Sequence, residues 1–238
     1  MFSIFLIFFL WDAIFSTPGR NILGYDRGEI LTYVFGMMIV RAFVLSSRTI
    51  DVSGEISQGD ISNYLIKPVN YFKYWLTRDL SSKALNLIFA VFETIILYFL
   101  LKPPFFIQTN PLYLISSLLS VFLAILIFFV LTFITSSVPF WIPEAAWGVH
   151  FVVTTVIVEF LSGALFPLDV LPKILQTVLN YTPFPYLIFF PLEVYLGKIT
   201  GIFLIKGMII SVFWLVFLWW ALNVIWRKGL KAYQAYGR

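Results

Sequence analysis

Residues 48–83 read RTIDVSGEISQGDISNYLIKPVNYFKYWLTRDLSSK, the longest polar passage in an otherwise apolar chain. Apolar runs flank it on both sides, so it is a loop held at a membrane surface, not a soluble domain. Of the 238 residues, 61% are hydrophobic and 12% charged, with a mean hydropathy of +0.94. A soluble domain is about half apolar and about a quarter charged. The length accommodates about six spans of roughly 20 residues. The expected fold is therefore an all-α integral membrane protein. It has one membrane domain over residues 1–238, with the polar loop between its second and third spans.

Toward the N-terminus, residues 1–15 are apolar apart from Asp12. That is short for a span and lacks the basic start and cleavage site of a signal peptide. We read it as a first span with an abbreviated beginning, or a start codon placed late. Thr17-Pro18-Gly19 signals a turn, and the second span is expected at 29–47 with Arg41 near mid-depth. Inside the loop, Asp60 is placed to cap a short helix over 61–66, which Pro68 closes. Ile61, Tyr64 and Leu65 then share one face. Tyr71, Phe72, Tyr74 and Trp75, mixed with Lys73 and Arg78, suit a segment lying among lipid headgroups.

Beyond the loop, spans are expected at 84–101 (containing Glu93), 111–135, 145–162 (containing His150 and Glu159) and 202–226. Residues 163–201 are apolar yet hold Pro167, Pro172, Pro183, Pro185 and Pro191, so no unbroken span crosses them. Two short helices, at 171–179 and 186–196, fit between the breaks. Freed backbone at membrane depth must be buried in protein or line a cavity, which makes 163–201 a re-entrant hairpin. Six spans put both ends on one side. The loop and the tail (Arg227, Lys228, Lys231, Arg238) together carry nine Lys and Arg. The opposite side carries six: Arg20, Arg27, Lys102, Lys173, Lys198 and Lys206. That bias assigns loop and termini to the cytoplasm.

The net charge of +4 is read as contact with anionic lipid, not with nucleic acid. The absence of cysteine excludes thiol chemistry, one histidine without cysteine argues against a zinc site, and His150 is expected to be a packed residue. Phosphate-loop, dinucleotide-loop, nucleophile-elbow and metalloprotease motifs are absent. The sequence therefore offers no catalytic residue, no metal ligand and no cofactor site. Asn180-Tyr181-Thr182 matches a glycosylation sequon by chance, since Pro183 follows and the region is apolar. The intramembrane charges are the sites of interest. Arg41 and Glu93 lie on sequential antiparallel spans and can pair, either as a structural lock or as the lining of a path. Glu159 caps the hairpin or faces that path.

Three passages carry a family resemblance. They are Gly59-Asp60-Ile61-Ser62-Asn63-Tyr64-Leu65-Ile66-Lys67-Pro68; Ser162-Gly163-Ala164-Leu165-Phe166-Pro167-Leu168 through Leu171-Pro172; and Asn180-Tyr181-Thr182-Pro183-Phe184 with Pro191, Glu193, Tyr195, Leu196 and Gly197. In order and spacing they resemble the transmembrane permease subunits of ATP-binding cassette (ABC) exporters, in the type-2 exporter class. The chain departs from that pattern by starting directly in apolar sequence, without an amphipathic interfacial helix. The resemblance implies six spans, a dimer with an identical or paralogous permease, and two ABC ATPase subunits that hold the ATP and magnesium. It also implies a cytoplasmic coupling helix within 55–67, with Glu55, Ile56, Asp60, Ile61, Tyr64, Leu65 and Lys67 facing the ATPase. The outer hairpin would match Gly163, Pro167, Pro172, Pro183 and Glu193. Independently, a membrane domain with no energy source of its own needs a handle, and a short helix with an apolar face and flanking charges suits a soluble partner. The alternatives are a channel or ion-coupled carrier working through Arg41, Glu93 and Glu159 without ATP, or a membrane scaffold or enzyme.

Overall fold

The computed structural model describes residues 2–15 and 24–233, and among these every regular element is helical. The turn expected at Thr17-Pro18-Gly19, with Arg20 and Arg238, lies outside the described residues. In chain order the α-helices are α1 Phe2–Ile14, α2 Arg27–Val44, α3 Ile50–Ser57, α4 Ser62–Leu65, α5 Tyr71–Leu101, α6 Pro111–Thr135, α7 Ala146–Phe151, α8 Glu159–Leu161, α9 Lys173–Leu179, α10 Phe189–Tyr195 and α11 Gly201–Ala232. A π-helical segment, Val152–Val158, joins α7 to α8. Among the described residues, four stretches are long and apolar enough to cross a membrane: Tyr71–Leu101, Pro111–Phe140, Pro143–Leu161 and Gly201–Ala232. Helix α1 is apolar but has only 13 residues, and α2 carries Arg27, Glu29 and Arg41 in 18, so the first falls short by length and the second by charge.

Helix α6 is the axis. Asn110 caps it by accepting from the Leu112 amide at 2.9 Å, and Pro111 supplies the fixed φ of a first turn. With no charge along its length, it packs against α11, α10 and α2. Where α11 meets α10, a Cβ on Gly207 would lie 2.1 Å from Phe190 Cε2, so any larger residue would have to displace the Phe190 ring. Helix α2 starts from a capping box: Asp26 accepts from the Glu29 amide at 2.7 Å, and Glu29 accepts from the Asp26 amide at 2.9 Å. Asp12, the one charge in α1, pairs with Arg27 at 2.8 Å and ties the first two helices together.

The two ends of the bundle differ. At one end, α3, α4, the start of α5 and the ends of α6 and α11 converge on an aromatic cluster of Tyr71, Phe72, Trp75, Phe133, Phe140 and Trp226. Tyr71 stacks on Trp226 with centroids 5.2 Å apart. Each such pair adds about 0.5–1.5 kcal/mol beyond its buried area. At the other end, the α5–α6 connection and the 163–200 region close over the start of α2. There the Phe106 amide donates to Thr32 Oγ1 at 2.8 Å, and Gln108 Nε2 donates to the Tyr195 carbonyl at 2.8 Å.

Three expectations are corrected. Residues 71–83 are not loop: α5 runs unbroken for 31 residues, and Tyr71 and Trp75 are buried in the aromatic cluster instead of lying among headgroups. The polar loop is therefore residues 45–70. Asp60 does not cap the short helix, whose N-cap is Ile61 with no side-chain bond. And α2 ends at Val44, so Arg41 stands in its last turn and not at its middle.

Candidate functional site

The predicted residues gather at three levels, and α2 reaches all of them. At the loop end, the corner after α2 is clamped to α5. Lys83 Nζ donates to the carbonyls of Val44 at 2.8 Å, Phe43 at 3.2 Å and Ser46, which are the free acceptors of a helix C-terminus. Asp79, one turn earlier, lies 3.5 Å from Lys83 and accepts from the Arg48 amide and Ser47 Oγ, both at 2.9 Å. Both side chains are wholly buried. Helix α3 then packs by Val52 and Ile56, four residues apart on one face.

In the resembling segment, Ile61 is 0% exposed and Ile56 is 3% exposed, both inside the chain's own core. Glu55 accepts from the Tyr71 hydroxyl at 2.6 Å. Tyr64 is half-buried, its ring 5.5 Å from that of Tyr71, with Lys67 Nζ 5.4 Å over its face. The Leu65 side chain is outside the described residues. Asp60, Lys67 and, beside them, Ile66 point outward; Ile66 is 84% exposed. The buried face and the outward tip are thus different residues, because Ile61 is drawn into the buried cluster that also holds Trp75. Tyr233 Oη donates to the Gly59 carbonyl at 2.9 Å, which holds the tip to the end of α11.

Within the bundle, Arg41 Nη2 meets Glu159 Oε1 at 2.5 Å. Glu159 therefore takes the role expected of Glu93. The π segment, with its widened turns, immediately precedes Glu159 and sets its rotation. Arg41, Glu159 and Glu93 all line one cleft of about 290 Å3, walled by Val34, Met37, Met38 and Ala90. His150 Nδ1 is packed between the hydroxyls of Thr135 (3.3 Å) and Ser136 (3.2 Å).

At the far end, Gly163 turns the chain with φ +85°, where a Cβ would sit 2.8 Å from Tyr33 Oη. Tyr33 donates to the Gly163 carbonyl at 3.0 Å. Pro167 precedes a 3-10 turn at Leu168–Val170, Pro172 precedes α9, and Pro183 precedes a second 3-10 turn at Phe184–Tyr186. The two short helices expected from the proline spacing are α9 and α10. Glu193, on α10, is 3% exposed and lies 2.6 Å from Tyr25 Oη. Burial pushes its carboxyl up to about 8, against the Tyr25 hydrogen bond and the Lys198 charge, which lower it; nearby Asp169 and Glu29 raise it further. Burial likewise raises the Tyr25 hydroxyl well above its usual value, with Glu193 and Asp169 adding to it.

Sequence reasoning did not find Tyr25, Asp169, Asp79 and Lys83 as site residues. The Asp79–Lys83 spacing of four was a legible helix signal. Nothing local in Tyr25 or Asp169 points to partners more than a hundred positions away. Among the described residues, no group of three or more His, Asp or Glu is arranged to hold a metal. A family model described as ABC-2 family transporter protein matches residues 1–237. No curated protein and no solved structure matches the chain.

Proposed function

Since the chain belongs to the ABC-2 transporter family, we propose that it is the transmembrane permease subunit of an ATP-driven exporter, paired with a second permease and worked by separate ABC ATPase subunits. In this reading α1 and α2 are the two remaining spans, completing six. Region 163–200 is the re-entrant hairpin on the outer side, and the 45–70 loop and both termini face the cytoplasm of a cell-membrane protein. The exposed apolar faces of α5 and α11, including Phe89, Phe92, Phe213 and Phe217, meet lipid or the second permease. ATP and magnesium belong to the ATPase.

The observation that carries the reading is the clamped corner. An outward tip (Asp60, Ile66, Lys67) sits on α3 and α4, which join α2 at the buried Asp79–Lys83 pair. Helix α2 in turn bears Arg41 in the cleft. Force applied at the tip is passed to α2 as a rigid lever, since the interior is close-packed and yields little. Rotation of α2 separates Arg41 from Glu159 and alters the cleft. The chain's part is thus movement of a path, with no bond-making step of its own.

The test is reconstitution of the purified chain in vesicles with and without an ABC ATPase subunit. Expected are a stable complex and export that requires ATP. Transport that persists without ATP or any ATPase overturns the proposal in favour of an ion-coupled carrier or channel acting through Arg41, Glu93 and Glu159.

A further inference from the structure

Tyr25 Oη lies 2.6 Å from Glu193 Oε1 and 2.6 Å from Asp169 Oδ2. A tyrosine hydroxyl has one hydrogen, so it donates to one carboxylate at a time. The second contact is a hydrogen bond only if that carboxyl carries a proton of its own. Otherwise two oxygen lone pairs face each other at 2.6 Å with no hydrogen between them. No ion fits into such a gap; a proton does. Two carboxylates sharing one site likewise cannot both ionise without one rising strongly.

We propose that Tyr25, Asp169 and Glu193 form a proton-binding site that holds one exchangeable proton near neutral pH and, while it is bound, fastens the hairpin and α10 to the start of α2. The proton belongs on Glu193, which is 3% exposed and the more buried of the two carboxyls, Asp169 being half-exposed. Asp169 belongs to the 3-10 turn before α9, Glu193 to α10 and Tyr25 to the lead into α2. One proton therefore joins three separate pieces of chain.

The surroundings favour exchange without neutralising the site. Asp169 and Glu193 line a cavity of about 770 Å3 between the hairpin and α11, a route for water. Lys198, from the turn after α10, stands beside the site. Its Nζ lies 4.4 Å over the Tyr25 ring, but it is committed to Glu29 at 2.9 Å and the Gly24 carbonyl at 2.6 Å. Lys206 faces the same cavity from α11. From α2 come Glu29 and Tyr33, the latter occupied by the Gly163 carbonyl. Helix α6, packed along α10, carries no charge. Loss of the proton leaves two negative charges on one tyrosine, and the hairpin loses its fastening. The site does not depend on the exporter reading.

The experiment is an infrared pH titration of the full chain in lipid nanodiscs, tracking the stretch of a protonated carboxyl. The wild type is expected to lose such a band with a midpoint near 8, and Glu193→Gln to lack it. Tyr25→Phe removes a hydrogen bond that lowers the Glu193 value, so its midpoint moves up. Asp169→Asn removes a charge that raises it, so its midpoint moves down. Hydrogen exchange over residues 163–200, corrected for intrinsic rate, should rise across the wild-type midpoint and stay flat in Glu193→Gln. Identical spectra for wild type and Glu193→Gln overturn the proposal. If Glu193→Gln does not fold, equal midpoints in Tyr25→Phe, Asp169→Asn and wild type overturn it instead.

Discussion

Lys83 and Asp79 bear on the mechanism more than any exposed charge does. A surface ion pair contributes about 0–1 kcal/mol, but these two side chains are fully buried and also hold the backbone of the α2 corner. Asp79→Ala strands a buried ammonium and should cost about 3–5 kcal/mol. Adding Lys83→Met to that variant should recover part of the loss, because the orphan charge is gone although the α2 carbonyls lose their donor. Thermal unfolding of the two variants in nanodiscs checks this; equal melting temperatures would mean that Lys83 finds other compensation. The same reasoning explains why Arg41 tolerates its apolar wall. It has Glu159 at 2.5 Å, and it stands in the last turn of α2, where a cation is favoured by the helix dipole.

Among the elements, the α3–α4 corner takes Ile61, which the sequence reading set toward the ATPase, into the core and leaves Ile66 outside. Ile61 supports the fold and Ile66 presents to the outside. Ile66→Asp should abolish co-purification with an ABC ATPase and leave the melting temperature unchanged. Ile61→Asp, which buries an unpaired carboxylate in the aromatic core, should destabilise the chain itself. Retained ATPase binding by Ile66→Asp would remove the tip from the docking surface. The ion pair that follows the π segment offers a second element-level test. A double-mutant cycle over Arg41→Ala and Glu159→Ala should show a coupling of about 0.5–3 kcal/mol in stability, and additive single effects would show that the two charges do not act together.

Taken whole, the molecule has a polar tie at each end of α2, and they differ in kind. The Asp79–Lys83 clamp is ionic, whereas the Tyr25–Asp169–Glu193 tie is held by a proton. A carboxyl raised in the folded state binds its proton more tightly there than in the unfolded chain, so stability falls with rising pH. For Glu193 the contribution is complete below the ordinary value of 4.5 and is lost as pH passes about 8. The melting temperature of the wild type should fall through that window more steeply than that of Glu193→Gln. Parallel curves would show that Glu193 titrates alike in both states. The loop tip and the end of α11 share one end of the bundle, and the hairpin lies at the other, so docking and proton release act on opposite ends of one helix.

The α6 boundaries, the break of 163–201 into short helices and the all-helical class were legible in the sequence. Each rests on local rules: hydropathy over a span and proline spacing. The resemblance of the loop and hairpin segments to a permease family was legible too. The limits of the loop were not, because the polar side chains of residues 71–83 read as loop, whereas Tyr71 and Phe72 pack against Phe133 and Trp226 of distant helices. Nor was the choice of Glu159 over Glu93 for Arg41, which depends on the rotation that the π segment imposes. Composition and periodicity determined that this chain lies in a membrane as helices. Only the tertiary structure decided which charges meet and which apolar residue stays outside, because those contacts join positions far apart in the chain, whose pairing no local pattern encodes.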